Sequence, residues 1–181
     1  YEEDKFEKKL WLNREADDGM AYVCTASAAL GRMHAVLTAD KDMRMFPGYH
    51  VVWTTFQIVE VPYYAFDVIG GEGKQYGHKW FWLQMLMGDT ADNIPGLPRV
   101  GEVAAGTALK GVTNNNDAYQ IVKTMYAQKM GAGWARYFVE MAMLLWMRTD
   151  RHAAIYDFVK ALDVKWDHEV LQEVGAMQAL V

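Results

Sequence analysis

The sequence predicts an α/β core carrying a helical extension, and three observations predict it. Short β-branched or alternating runs are confined to residues 34–61. Long segments dense in Trp, Phe, Leu and Met at helical spacing fill the chain from His78 onward. A glycine-rich loop at Gly70–Gly73 separates the two parts, and a glycine- and proline-rich set of turns at Gly88–Gly101 punctuates the helical one. A chain of 181 residues is the size of one domain with a small appendage, and it can bury a sizeable core. Its 52% hydrophobic and 23% charged residues are globular composition and exclude a disordered chain.

Element by element, residues Tyr1–Lys9 are charge-rich and read as an exposed turn or helix end. Glu15–Leu30 is a packed helix with Ala16, Met20, Val23 and Ser27 near one face, stopped by Gly31. His34–Ala39 is a short apolar run expected as a buried strand. Pro47-Gly48 is a turn, and Tyr49–Thr55 with Gln57–Val61 forms a hairpin. Gly70–Gly73 is a flexible loop, His78–Met87 an apolar helix, Gly88–Gly101 a structured set of turns, and Val103–Leu109 a short helix. Residues 113–117 form a linker ending in N-cap chemistry. Asp117–Met130 and Trp134–Met147 are helices, and the tail from Asp150 to Val181 holds one or two more.

Charge and cysteine usage exclude several functions. A net charge of −5 does not advertise nucleic-acid binding in bulk. The single cysteine, Cys24, excludes an internal disulfide framework and a Cys-rich zinc site, and reads as buried packing. It fits a reducing compartment without proving one, and the expected location is cytoplasmic. No apolar run reaches the roughly 18 residues needed to cross a bilayer, so no membrane partner is expected. The five histidines share no metal-ligand spacing, and no phosphate-binding glycine loop or Ser-His-Asp arrangement is present.

The carboxylates are the informative feature. Glu15, Asp17 and Asp18 open the first helix, Asp40 and Asp42 follow the predicted strand, and Asp89 and Asp92 follow the apolar helix. Each group alone is explained by capping, the helix dipole or a solvated turn. Placement changes the balance, because ligands of open α/β sheets gather at strand carboxyl ends beside helix N-termini. Acids brought together there repel unless cations neutralise them, and Mg²⁺ and Mn²⁺ prefer such oxygen ligands. The expectation is that all seven converge on one negative patch, with carboxyl pKa values raised by mutual repulsion.

In that order, Glu15-Ala-Asp-Asp18, Ala39-Asp-Lys-Asp-Met43 and Gly88-Asp-Thr-Ala-Asp-Asn-Ile-Pro-Gly96 resemble the metal motifs of the 5′-nuclease superfamily. That superfamily includes phage 5′–3′ exonucleases, flap endonucleases and the 5′-nuclease domain of bacterial DNA polymerases. The resemblance covers roughly residues 15–109, and its last motif is the most specific. It implies a PIN-like core and two or three Mg²⁺ or Mn²⁺ ions. It also implies structure-specific hydrolysis of DNA at 5′ ends, flaps or duplex. Residue by residue, it assigns Glu15, Asp17, Asp18, Asp40, Asp42, Asp89 and Asp92 to metal binding, with Asp40, Asp42, Asp89 and Asp92 catalytic.

The resemblance continues into a helix-hairpin-helix element over Ile94–Ala105, which grips duplex DNA through its backbone and often holds a K⁺ ion. It assigns DNA contacts to Gly96 and Gly101, and the charge of Arg99 between them offers a further phosphate contact. Arg99 stands where the family usually has glycine, and Val103 and Ala104 stand where a Lys-Thr pair is common. The implied division is residues 1–87 for the nuclease core, 88–149 for the helix-hairpin-helix region and 150–181 for a helical tail. Family members place further strands, metal ligands and a basic arch ahead of the first motif. Here that motif begins at residue 15. Either an N-terminal portion lies outside this sequence or the protein is a shortened relative, and a start at Tyr1 favours the first.

Two further readings stand beside the enzyme. One is a non-catalytic module that binds duplex or branched DNA. The other is a plain α/β protein whose acids are caps and turn residues, disfavoured by three ordered motifs. Arg44, Lys74, Lys79, Arg99, Lys110 and Lys123 offer a path for a DNA backbone, although each alone reads as solvated surface. Trp80, Phe81 and Trp82 read as core rather than as stacking platforms. The sequence does not set the oligomeric state.

Overall fold

A computed structural model describes residues 9–179. The charged segment expected over residues 1–9 therefore lies outside the described residues, except for Lys9, which is exposed. The first helix, α1, spans Ala16–Ala29 with Glu15 as an extended N-cap residue. Asp17 and Asp18 sit in its first turn, where carboxylates complement the free N–H groups. Gly31 ends it with φ +65°, and the N–H groups of Gly31 and Arg32 donate to the carbonyls of Ala28 and Ser27 at 2.9 Å each. This is the left-handed helix stop that glycine permits. The expected inward face is corrected. Asp18, Gly19, Ala21 and Cys24 point inward, while Ala16 and Val23 are exposed.

A three-stranded sheet follows, in the order β1 (Ala35–Val36), β2 (Gly48–Val51), β3 (Ile58–Val61). β1 runs parallel to β2, with Ala35 opposite Tyr49. β2 and β3 are antiparallel, with Gly48 opposite Val61 and Val51 opposite Ile58. The hairpin expected here is present. Val59 and Val61 face inward while Ile58 and Glu60 face out, the two-residue alternation of a strand. The strand expected over His34–Ala39 shrinks to two residues with only Val36 buried. Past it, the chain leaves the sheet to form the turn that carries Asp40. Gly48 is not a turn residue but the first of β2. A Cβ on it would come within 2.7 Å of the His34 ring.

The loop expected at Gly70–Gly73 is the tip of a second, two-stranded sheet, β4 (Val68–Ile69) with β5 (Gln75–Tyr76). It is closed by the Gly70 N–H donating to the Lys74 carbonyl at 2.9 Å.

The helical half is organised around α2 (His78–Met87), in which Phe81, Trp82, Met85 and Leu86 are all 0% exposed. A helix apolar nearly all round belongs inside a core. Each such side chain, fully buried, contributes roughly 1.5–3 kcal/mol. Trp80 is half-buried and also packs on this core, so all three aromatics are packing residues. α3 (Glu102–Ala108), α4 (Asn115–Met130) and α5 (Trp134–Leu145) surround α2, followed by α6 (Phe158–Ala161) and α7 (His168–Gln178). α4 starts two residues earlier than expected because Asn114 is its cap, its side-chain oxygen accepting from the Asp117 N–H at 2.9 Å. The main apolar cluster runs from Ala21 to Val174 and includes Cys24, buried as expected. No helix among the described residues is long and apolar enough to cross a membrane.

Candidate metal centre

Two local turns aim the carboxylates. After β1, the Asp40 N–H donates to Thr38 Oγ1 at 3.1 Å, and Asp40 Oδ1 accepts the Asp42 N–H at 2.8 Å. This aspartate turn starts the 3-10 turn Asp42–Met45 and fixes Asp40 and Asp42 on one bend. After α2, Gly88 (φ +75°) reverses the chain, and Asp89 and Ile94 exchange two backbone hydrogen bonds of 2.8 and 2.7 Å. Asp89 Oδ1 accepts the Ala91 N–H at 2.9 Å. The small loop is pinned against Gly96. A Cβ on Gly88 would lie 2.6 Å from the Pro95 carbonyl carbon, and one on Gly96 2.7 Å from Gly88 Cα. With φ positive at both residues, only glycine satisfies this backbone-on-backbone approach.

These turns and the start of α1 enclose a cleft of about 610 Å³ lined by Glu15, Asp17, Asp18, Asp40, Asp42 and Asp92. Leu144, Leu145 and Met147 supply an apolar wall. Asp89 is 2% exposed. One oxygen each of Asp42, Asp89 and Asp92 lies within 4.8 Å of the others. Asp18 is engaged differently. Its Oδ1 accepts the Arg148 N–H at 2.7 Å, and Arg148 Nε lies 3.6 Å from Oδ2. It ties α1 to the segment after α5.

Two residues that motif matching passed over complete the cluster. Lys41 Nζ lies 2.5 Å from Asp89 Oδ1. Gln84, fully buried on α2, donates from Nε2 to Asp42 Oδ1 at 2.6 Å and to Asp89 Oδ2 at 3.1 Å. Gln84 carried a readable signal, being a lone amide in the run Trp-Phe-Trp-Leu-Gln-Met-Leu-Met. Lys41 was visible only as the residue between two assigned aspartates.

The expected rise in pKa is found at two carboxyls, with burial ahead of repulsion. Burial, then the charges of Asp40, Glu15, Asp18 and Asp92, push Asp17 up. Burial, joined by Asp40 and Asp89, raises Asp42 against the opposing hydrogen bond from Gln84 and the Lys41 charge. Asp89 goes the other way. Burial would raise it, but the Lys41 ammonium and the Ala91 N–H hold it below the ordinary carboxylate range. Burial pulls Lys41 down, yet Asp89, Asp42 and Asp92 together hold its pKa up.

A donor set of carboxylate oxygens, with no thiol or imidazole, suits Mg²⁺ or Mn²⁺. The Gly96 carbonyl accepts from Tyr137 Oη at 2.7 Å and the Pro98 carbonyl from Lys129 Nζ at 2.9 Å. Each of these carbonyls accepts one hydrogen bond from within the chain, the second from an ammonium.

Arg99 is exposed with φ +61°, and Gly101 is the exposed N-cap of α3. Of the other cations considered, Lys79 pairs with Asp67 at 2.7 Å and Lys123 with Asp167 at 2.8 Å. Lys110 is exposed.

The chain is 35% identical over 100 residues to DNA polymerase I of Pseudomonas aeruginosa. The match takes in 54% of this chain and 10% of the polymerase, so the chain spans about a tenth of that relative's length. No family model matches the chain, and no solved structure matches it.

Proposed function

We propose that the chain belongs to a divalent-metal-dependent 5′ nuclease, a 5′–3′ exonuclease or flap endonuclease acting on DNA in replication or repair. The observation that carries this reading is the meeting of Asp42, Asp89 and Asp92 oxygens within 4.8 Å beside a cleft lined by further carboxylates. The ordered motifs resembling the 5′-nuclease superfamily and the similarity to a DNA polymerase I support it. In this reading residues 1–87 form the PIN-like core, and the hairpin with α3 opens the helix-hairpin-helix region of residues 88–149.

Asp42, Asp89 and Asp92 hold one Mg²⁺ or Mn²⁺, and Glu15, Asp17, Asp18 and Asp40 complete the set for further ions. A bound divalent ion there supplies charge neutralisation and Lewis-acid chemistry for phosphodiester hydrolysis. The chain's own residues prepare the site. The Asp40 turn orients Asp42, Gln84 holds Asp42 and Asp89 side by side, and Lys41 compensates the buried Asp89. Arg99 and Gly101, both exposed, take phosphates of the duplex, a contact that fixes register without reading sequence, while Gly96 is buried against Gly88 and shapes the hairpin rather than meeting a phosphate.

One observation favours the rival, a non-catalytic module for duplex or branched DNA. Asp89 and Asp18 are already paired with Lys41 and Arg148 inside the chain. A 5′-labelled flap duplex separates the two. Cleavage in Mg²⁺ that stops in EDTA supports the nuclease. Binding without cleavage in either buffer supports the module, and the absence of both removes both.

A further inference from the structure

A second groove, of about 220 Å³, lies on the other side of Asp40. Ala39 and Asp40 line both clefts, so the two share a wall. Its lining is mixed rather than acidic, with Val36, Val51, Val52 and Tyr76 beside Asp40. Arg44 and Lys74 line it, together with Thr38, Thr54 and Trp53. The Arg44 guanidinium is fixed between rings, 5.4 Å from the Trp80 centroid and 5.9 Å from that of Tyr76. Trp53 stands at the tip of the β2–β3 hairpin and is 62% exposed, with Phe56 beside it in the same tip 73% exposed. The tip is not a loose loop. The Val52 N–H donates to the Gln57 carbonyl at 2.8 Å and the Phe56 N–H to the Val52 carbonyl at 2.8 Å. Phe56 takes φ +55°, a conformation that costs a bulky residue on the order of 1 kcal/mol. The chain thus holds a large ring in water on a closed turn.

We propose that this groove binds one unpaired nucleotide of a nucleic-acid strand, the base stacking on Trp53 and the adjoining phosphate meeting Arg44 and Lys74. The inference rests on the nuclease reading of the neighbouring cleft and extends it to the path of the strand. A chain of net charge −5 with an acidic cleft repels a polyanion, and the cations that line this groove beside Asp40 offset that repulsion. An aromatic face paired with a guanidinium is the sequence-tolerant way proteins hold single strands. The groove is too small for a duplex.

The test is binding of a fluorescent oligo-dT, and of a blunt duplex of equal length, in EDTA so that no cleavage intervenes. Wild type binds the single strand. Trp53→Ala weakens that binding about 10-fold with an unchanged melting temperature, Trp53→Phe restores most of it, and duplex binding moves little. Arg44→Met also weakens single-strand binding and lowers its salt dependence by about one unit. No wild-type binding to oligo-dT, unchanged binding in Trp53→Ala, or an equal loss on the duplex each overturns the proposal. Because the readout needs no catalysis, a protein that cleaves flaps normally while Trp53→Ala binds as wild type fails this inference alone. One that binds through Trp53 but never cleaves fails the nuclease reading alone.

Discussion

Lys41 Nζ sits 2.5 Å from Asp89 Oδ1, an ion pair across 48 positions whose acidic side chain is wholly enclosed. The ammonium occupies the carboxylate that, in the proposed centre, a divalent ion shares with Asp42 and Asp92. Lys41 is therefore both a structural partner of the metal-free site and a competitor for it.

Lys41→Met should expose this double role. Without metal the variant loses roughly 1.5–3 kcal/mol, the worth of a hydrogen bond to a charged group. With Mn²⁺ it regains more melting temperature than wild type does, because the ion no longer displaces an ammonium. Thermal melts across a Mn²⁺ series check both signs.

Gln84→Leu leaves two carboxylates without their shared donor in a buried place, and a loss of about 1–3 kcal/mol is expected. Gln84→Glu keeps the shape and adds a charge beside Asp42 and Asp89. It should be less stable than wild type in EDTA and close part of that gap in Mn²⁺. Denaturant titrations in the two buffers measure it.

What the sequence revealed of this site follows from how local each feature is. The Asp40-Lys41-Asp42 turn and the Asp89 loop are built from neighbours in the chain, so spacing located them. α2 was legible because a run apolar on every side has one place to go. The inward face of α1 was misread because its buried stripe includes Asp18, whose partner Arg148 lies 130 residues away. β4 and β5 have two residues each and carry no periodicity to read. Gln84 was one polar residue in an apolar helix until the fold set Asp42 and Asp89 against it.

Arg99 holds φ +61° where the resembling family has glycine. Arg99→Gly relieves the left-handed cost but loosens the unfolded chain, so stability should rise by no more than about 1 kcal/mol. Arg99→Ala keeps the backbone restriction and removes the charge. If Arg99 meets a phosphate, duplex binding weakens and the salt slope falls by about one unit. Unchanged affinity and slope would make Arg99 a solvated turn residue.

His78 sets an acid limit on the fold. It is buried at the start of α2, where Trp82 donates to Asn115 at 2.9 Å and the Asn115 amide sets against His78 Nδ1 at 3.0 Å. Burial pulls its pKa down to about 4. Below pH 6.5 the unfolded chain takes up a proton that the folded one refuses, so stability falls as pH drops from 6.5 toward 4. The contribution is up to roughly 3 kcal/mol. His78→Gln should flatten that part of the profile in denaturant melts at pH 4 to 7.

The central claim is that the Asp42–Asp89–Asp92 cluster holds the ion that drives phosphodiester cleavage. Asp92 is exposed, so Asp92→Asn removes a ligand charge without burying an unpaired group. The most direct test is the single-turnover rate on a 5′-flap duplex across a Mg²⁺ series, for wild type and Asp92→Asn, beside DNA affinity measured in Ca²⁺. The account predicts wild-type cleavage that needs Mg²⁺, a rate lower by on the order of 100-fold in the variant, and DNA affinity nearly unchanged. A variant that cleaves at the wild-type rate at every Mg²⁺ concentration, or a wild type fully active in EDTA, would contradict it.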